Sequence, residues 1–202
     1  MTSVLLSSAY FAPVQYYQKL YRYDQSLIER YDHFIKQTYR NRCVIATASG
    51  TQTLSIPTEH YDGDKCLMRD IRISDHGNWR HLHWNAIESA YGNSPFFEFY
   101  ADDIRPFFER HWDFLYDFNM DIMVKMCELL DIHPSIIPTD DYVKELPRDD
   151  FRDAIRPKNP IADDAFQSAE YYQVYKQRYG FIPNLSILDL LFNMGNESIF
   201  YL

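Results

Sequence analysis

Basic side chains are in short supply in this chain. It has 20 Lys and Arg against 29 Asp and Glu, a formal net charge of −9 over 202 residues. A domain that works on polyanions carries the opposite balance, so nucleic-acid binding is not expected, with tRNA as a donor substrate left open. Cysteine is scarce as well. Cys43, Cys66 and Cys127 are odd in number and lack CxxC spacing, which argues against both a disulfide framework and a zinc knuckle. No apolar run is long enough to span a bilayer, and the opening MTSVLLSSAYFAP lacks the basic segment of a signal peptide. The expectation is a cytoplasmic protein with reduced thiols and no membrane insertion. Internal repeats and low-complexity tracts are missing too.

What the chain does have is aromatic side chains, 17% of the total, dominated by 17 Tyr and 14 Phe. Tyrosine joins an apolar ring to a polar tip, which suits both a strand-rich core and a site for sugars or bases. With 46% hydrophobic and 24% charged residues, the composition is that of a folded globular protein. The length suits a single domain over 1–202 with a real core.

Val4-Leu5-Leu6 reads as a short buried strand, and Pro13 suits the first turn of a helix through VQYYQKLYRYD. Ser26 to Ile35 reads extended. CVIATA and TQTLSI flank Ser49-Gly50 as a hairpin, and RDIRIS at Arg69–Ser74 alternates like a half-buried strand. From Asn78, a candidate N-cap, the pattern is helical to Gly92, and Pro106 opens a further helix through FFERHWDFLYDFN. Five of the ten prolines fall between 134 and 160, which predicts a surface excursion or lid over about 134–168 without regular structure. Ser186 to Asp189 has capping-box form before LDLLFNM, apolar nearly all round and so buried, with Gly195 to close it. The predicted fold class is α+β, a mixed, largely antiparallel sheet in the N-terminal half followed by packed helices.

The helical stretch WRHLHWNAIESAY carries the sharpest question. At 100° per residue, Trp79, Leu82, Ala86, Ile87 and Ala90 share an apolar face, and His83 falls inside it. A buried imidazole needs partners, because an unpaired polar group costs about 1–3 kcal/mol. His83 is then either a catalytic base or a core histidine bonded to backbone. In KQTYRNRC an extended backbone would put Lys36, Thr38, Arg40 and Arg42 on one side, with Tyr39 and Asn41 opposite. That row is either an anion clamp for phosphate or carboxylate or a solvated, charge-protected edge. The proline-led helix at AYFAPVQYY offers N–H groups to an anion and Tyr10, Tyr16 or Tyr17 to a ring. Its layout is similar to nucleotidyltransferases whose first strand leads into a phosphate-binding helix, but Gln15, Tyr16 and Tyr17 stand where those carry paired histidines. His81, Asn85 and Glu88 share a helix face without a third strong metal ligand, so no metal site is expected. Cys43 is either an arginine-activated thiol or plainly buried.

In chain order the motifs YFAP, QYY and D (Asp24), D-x-F-x-K (Asp32–Lys36), YRNR (Tyr39–Arg42), W-x-x-x-H (Trp79–His83), Y-G-x-x-P-F-F (Tyr91–Phe97) and NLSILDLLFNMG resemble the WbqC-like family, closest in pattern to Bacteroidetes members. The likeness runs from about Ser7 to about Ser198. Its pattern falls on Tyr10, Pro13, Tyr17, Asp24, Asp32, Lys36, Asn41, Arg42, Trp79, His83, Tyr91, Pro95 and Phe97. Ala12-Pro13-Val14-Gln15 departs from a common Pro-Trp-x-Gly form, and Tyr39 stands where Trp is common. The resemblance implies a transferase of an aminoacyl (glycyl) or acyl group to a sugar in surface-polysaccharide, O-antigen-type, biosynthesis. Taken with the residue patterns above, the expected roles are His83 as catalytic base, Lys36, Arg40, Asn41 and Arg42 as the clamp for a small-molecule or nucleotide-sugar substrate, and Tyr10, Tyr17 and Tyr91 as pocket walls. No cofactor is implied. A non-catalytic sugar- or nucleotide-binding protein or scaffold is the alternative, and a nucleotidyltransferase-like enzyme the third.

Overall fold

The apolar run at the N-terminus forms β1 (Ser3–Ser7), with Val4, Leu5 and Leu6 wholly buried. Pro13, with φ fixed at −68°, is the cap residue of α1 (Val14–Arg22), whose last turn carries Lys19 and Arg22 at its negative end. The chain returns as β2 (Gln25–Glu29), parallel to β1 and in register from Ser3↔Gln25 to Ser7↔Glu29. This is a β-α-β unit. The structure, a computed structural model, describes residues 1–63, 65–144 and 149–202.

A hairpin of β3 (Arg42–Thr47) and β4 (Gly50–Ser55) follows, turning just before Gly50, whose φ of 111° suits glycine. The helices are α2 (Trp79–Tyr91), α3 (Phe97–Ile104), α4 (Pro106–Glu109) and α5 (Leu115–Leu129). Then come β5 (Ile136–Pro138), α6 (Lys176–Tyr179) and α7 (Ile187–Met194). β5 pairs parallel with β2, and its Pro138 is tolerated because the strand lies at a sheet edge. Against the other side of β1, Leu5 N–H donates to the Asp149 carbonyl and Phe151 N–H donates to the Leu5 carbonyl, both at 2.9 Å.

The α+β class holds, but the sheet differs from the expected one. Among the described residues the main sheet, β1-β2-β5, is parallel throughout, and the separate β3-β4 hairpin is antiparallel. RDIRIS is not a strand. It begins in a 3-10 turn at Met68–Asp70, and Ile71 and Ile73 alternate inward because single bridges, Thr58↔Ile73 and Arg72↔Phe114, hold them. The helix that Pro106 starts ends early, at Glu109, where Arg110 turns extended. Ile73 N–H donates to the Asp113 carbonyl and Leu115 N–H to the Ile71 carbonyl, which holds Phe114 extended just before α5. Asn78 takes a left-handed conformation, and its side chain makes no capping bond. The Pro-rich excursion contains β5 and the 149–151 pairing, so it is not without regular structure; its residues 145–148 lie outside the described ones.

Ser186 does cap α7: its Oγ accepts from Leu188 N–H at 3.3 Å and donates to the Phe11 carbonyl at 2.8 Å. Around it, Val14 N–H donates to the Leu185 carbonyl and Ile187 N–H to the Ala12 carbonyl. The starts of α1 and α7 are therefore tied side by side, with every α7 residue from Ile187 to Asn193 buried. Ser186→Ala is expected to lower stability by about 1–2 kcal/mol, the usual cost of losing a cap, read as a lower urea midpoint at unchanged slope. An unchanged midpoint would show the tie to be redundant.

Candidate functional site

Because all three strands of the main sheet run the same way, Ser7, Glu29 and the residue after β5, Thr139, end at one edge. Open parallel sheets bind ligands outside such carboxyl ends. Here that edge is a cavity of about 360 Å³ walled by Tyr31, Asp32, Arg40, Tyr142, Arg152 and Asp153, with His33 and Ile35 beside them. Past Arg40 and Arg152 a recess lined by Ser7, Ser8 and Thr38 has room for about one water, ~10 Å³.

Asp32 follows β2 by three residues, and the turn that carries it is fixed from both sides. Its carbonyl accepts from Met68 N–H, and the Arg30 and Arg69 guanidiniums lie over the Tyr31 ring at 5.1 and 4.7 Å. Asp32 Oδ2 accepts from Arg40 Nη2 at 2.5 Å and from Ser7 Oγ at 3.4 Å. Arg40 is held in turn by Asn119, whose Nδ2 donates to its carbonyl at 2.8 Å. Both side chains are buried, yet among the described residues Asp32 Oδ1 and Arg40 Nε have no hydrogen-bond partner. Burial pushes the Asp32 carboxyl above the usual range, and the Arg40 charge only partly restrains it.

Glu29, 0% exposed, anchors the opposite wall. Its Oε1 accepts from Tyr31 N–H (2.8 Å) and Thr139 Oγ1 (2.9 Å), its Oε2 from Val143 N–H (2.9 Å) and Arg152 Nη1 (3.3 Å). Arg152 Nη2 also donates to Asp150 Oδ2 at 2.6 Å, and its guanidinium lies 5.2 Å from the Tyr142 ring. Arg40 thus meets one carboxylate and Arg152 two, and with Asp153 in the wall the carboxylates outnumber the guanidiniums. The site is polar, with an acidic balance.

The other residues expected at a site are dispersed. The cation row does not form, because Gln37 at φ 65° turns the chain and only Arg42 of the four lies in β3. Lys36 sits 6.0 Å from the Tyr61 ring and lines a different cavity. Asn41 donates to the Ile56 carbonyl, and Arg42 Nε is buried without a partner among the described residues. The first N–H groups of α1 are also taken, by the Leu185 carbonyl and Asn184 Oδ1.

His83 lies at the centre of the buried stripe of α2, with Trp79, Ile87 and Ala90; Leu82 is instead 59% exposed. Its Nδ1 meets the Tyr10 hydroxyl at 2.9 Å, and its ring packs 5.1 Å from Trp79 and 6.5 Å from Phe108. Burial pushes its pKa down to about 4, against a weaker upward effect of the Ser55 backbone. Neither His83 nor Arg42 lines any of the five cavities described. Tyr10, Tyr17 and Tyr91 are 0% exposed and pack the core; Tyr91 Oη accepts from Ala46 N–H. Among the described residues none of the five cavities joins His83, Arg42 and these tyrosines, and the strand-end cavity uses Arg40 alone of the expected clamp. Burial also raises the Cys43 thiol far above its usual range, so it is no ready nucleophile. His81 Nε2 meets Asn85 Nδ2 at 3.0 Å, and among the described residues no three His, Cys, Asp or Glu side chains gather as a metal site.

Glu29, Tyr31, Tyr142 and Arg152 were not apparent as site residues in the sequence. The signal that could have found the first two is positional: Glu29-Arg30-Tyr31-Asp32 follows directly on the second strand of a β-α-β unit. Nothing local marks Tyr142 or Arg152.

Among the described residues no helix is long and apolar enough to cross a membrane. No solved structure matches the chain. The uncharacterized protein Rv1507c of Mycobacterium tuberculosis is 26% identical over 204 positions, covering 89% of this chain and 87% of its own length. The model of the WbqC-like protein family matches residues 8–155 and 162–201. Both walls of the strand-end cavity, from Tyr31 to Asp153, fall inside the first matched stretch. With nearly its whole length accounted for by that model, the chain belongs to the WbqC-like protein family.

Proposed function

We propose that the protein is a transferase that places an aminoacyl (glycyl) or acyl group on a sugar in surface-polysaccharide biosynthesis, with the sugar held in the strand-end cavity. The observation that carries this reading is the buried Asp32–Arg40 pair, whose Oδ1 and Nε have no partner in the cavity wall. Leaving such atoms unpaired costs about 1–3 kcal/mol each, and an arriving hydroxyl or amine relieves it. The surplus of carboxylates over guanidiniums and the Tyr31 and Tyr142 rings suit a polyol better than a free polyanion. Asp32 replaces His83 as base. Its carboxylate takes the proton of the acceptor hydroxyl or amine as that atom bonds to the donor carbonyl, and the donor's leaving group departs with the electron pair. The choice of aminoacyl or acyl donor rests on the family resemblance alone.

A binding role without turnover is favoured by one observation: His83, the natural base near neutral pH, is shut away from every cavity described. One variant separates the two readings. Free sugars and nucleotide sugars would be titrated calorimetrically, and the bound one incubated with acyl-coenzyme A or glycyl-tRNA while its mass is followed. Asp32→Asn is expected to weaken sugar binding about tenfold, as the loss of a charge-assisted hydrogen bond does, and to cut transfer at saturating sugar by at least ~100-fold. A sugar that binds but gains no mass with any donor removes the transferase reading, and failure of every sugar to bind removes both.

A further inference from the structure

Between the start of α2 and α4 lies a second cleft, of about 390 Å³, that shares no lining residue with the strand-end cavity. Arg80, His81, Arg105 and the half-buried Trp84 line it, together with Asp75 and Glu109. In a chain of net charge −9 the cleft is locally balanced, its two guanidiniums matched by two carboxylates, with an imidazole and an indole beside them.

Arg80 is only partly used by the fold. Its Nη1 donates to Asp75 Oδ1 at 2.5 Å, while Nε and Nη2 are buried and have no acceptor among the described residues. Nε and Nη2 form one edge of the guanidinium, the fork that takes both oxygens of a carboxylate or phosphate. The Arg80 guanidinium rests 4.8 Å from the Trp79 ring, which fixes its plane. Arg105 stands 5.9 Å from the Trp84 ring and donates through Nε to Glu109 at 2.7 Å. Both carboxylates are open to water, with Asp75 60% and Glu109 57% exposed, so each ion pair is weak and yields to a better-placed oxyanion.

We infer that this cleft binds a small molecule carrying a phosphate or carboxylate group on a ring, with the oxyanion on Arg80 and Arg105 and the ring against Trp84. It stands independently of the transferase reading. The volume is that of an ordinary small-ligand site.

The test uses the full-length protein and three probes: uridine monophosphate, glucuronate and uridine. Calorimetry and tryptophan fluorescence give affinity and the involvement of Trp84. Uridine monophosphate, glucuronate or both should bind, and the arm that binds identifies the oxyanion; uridine should not bind. Arg80→Gln and Arg105→Gln should each weaken binding by about tenfold to hundredfold, as the loss of a charge-assisted hydrogen bond does. Arg105 is 55% exposed, so its variant keeps the fold even if that of Arg80 does not. Trp84→Phe should abolish the fluorescence change. The inference is overturned if neither anion binds, if uridine binds as well as its phosphate, or if binding survives Arg105→Gln but is lost in Arg152→Gln.

Discussion

Glu29→Ala should lower the unfolding free energy by about 3–5 kcal/mol, the range seen when one partner of a buried ion pair is removed. The carboxylate is fully enclosed and accepts four hydrogen bonds, two from backbone N–H groups, one from Thr139 and one from Arg152. Truncation strands all four donors, and Arg152, 9% exposed, keeps Asp150 and a long bond to the Lys144 carbonyl. Most domains have about 5–15 kcal/mol in total, so urea denaturation should show a protein near its limit. Glu29→Gln keeps the volume but turns an N–H₂ toward Val143 N–H and Arg152, and a smaller loss of about 1–3 kcal/mol is expected. Hydrogen exchange at Val143 and Phe151 should quicken in both variants. A loss under 1 kcal/mol in Glu29→Ala would mean that water replaces the carboxylate and that the hub is not one.

His83→Gln should reverse the pH dependence of stability between about pH 4 and 6.5. In the fold His83 titrates at about 4, below its ordinary 6.5, because burial disfavours the imidazolium. The unfolded chain therefore takes up a proton first, and the stability this residue contributes is present above pH 6.5 and lost as pH falls toward 4. About 2.5 pH units at 1.36 kcal/mol each is roughly 3 kcal/mol. Asp189 works the other way. Its carboxylate is buried, and the hydrogen bonds from Tyr171 and Gln173, both 2.8 Å, do not offset burial, so it titrates at about 6 instead of 3.8. Its contribution is full below pH 3.8 and lost as pH rises through 6, again roughly 3 kcal/mol. In the natural protein the two slopes nearly cancel. Without His83, stability should rise by about 3 kcal/mol on acidification from pH 6.5 to 4, and in Asp189→Asn it should fall by as much. Urea midpoints at fixed ionic strength read both, and since other carboxyls are common to all three proteins, the differences isolate these two. Parallel curves would show that neither group is as deeply shielded as its surroundings indicate.

The elements that local chemistry dictates were legible. Val4–Leu6, the proline-led α1, the Ser49-Gly50 hairpin and the Ser186 cap stand where turn and capping residues put them. Pairing was not. Antiparallel and parallel strands carry the same local pattern, and the partners of β1 and β2 include three residues, Ile136–Pro138, set among prolines. The alternation of RDIRIS mimics a strand because two isolated bridges impose the same period. For the site, Arg40 was among the candidates and Asp32 lay on the family pattern, but their meeting depends on Gln37 bending the chain, which no residue nearby announces. Arg152 reaches Glu29 across 123 residues, a contact that only the folded sheet brings about. The stripe on α2 correctly implied that His83 needs a partner. The partner is Tyr10, so the residue serves the interior.

The tie between the starts of α1 and α7 has a consequence for how the chain is made. Phe11 and Ser186 bond across 175 residues, and Leu185 receives Val14. A chain emerging from the ribosome at about 5–20 residues per second therefore waits some ten seconds or more between releasing the first partner and the second. During that interval Phe11, Ala12 and Val14 at the start of α1 lack their α7 partners, and closure of a long loop must precede this packing step. The nascent protein is exposed to chaperones and to misassociation until α7 is released, and a chain stopped short of residue 187 leaves those partners unpaired for good.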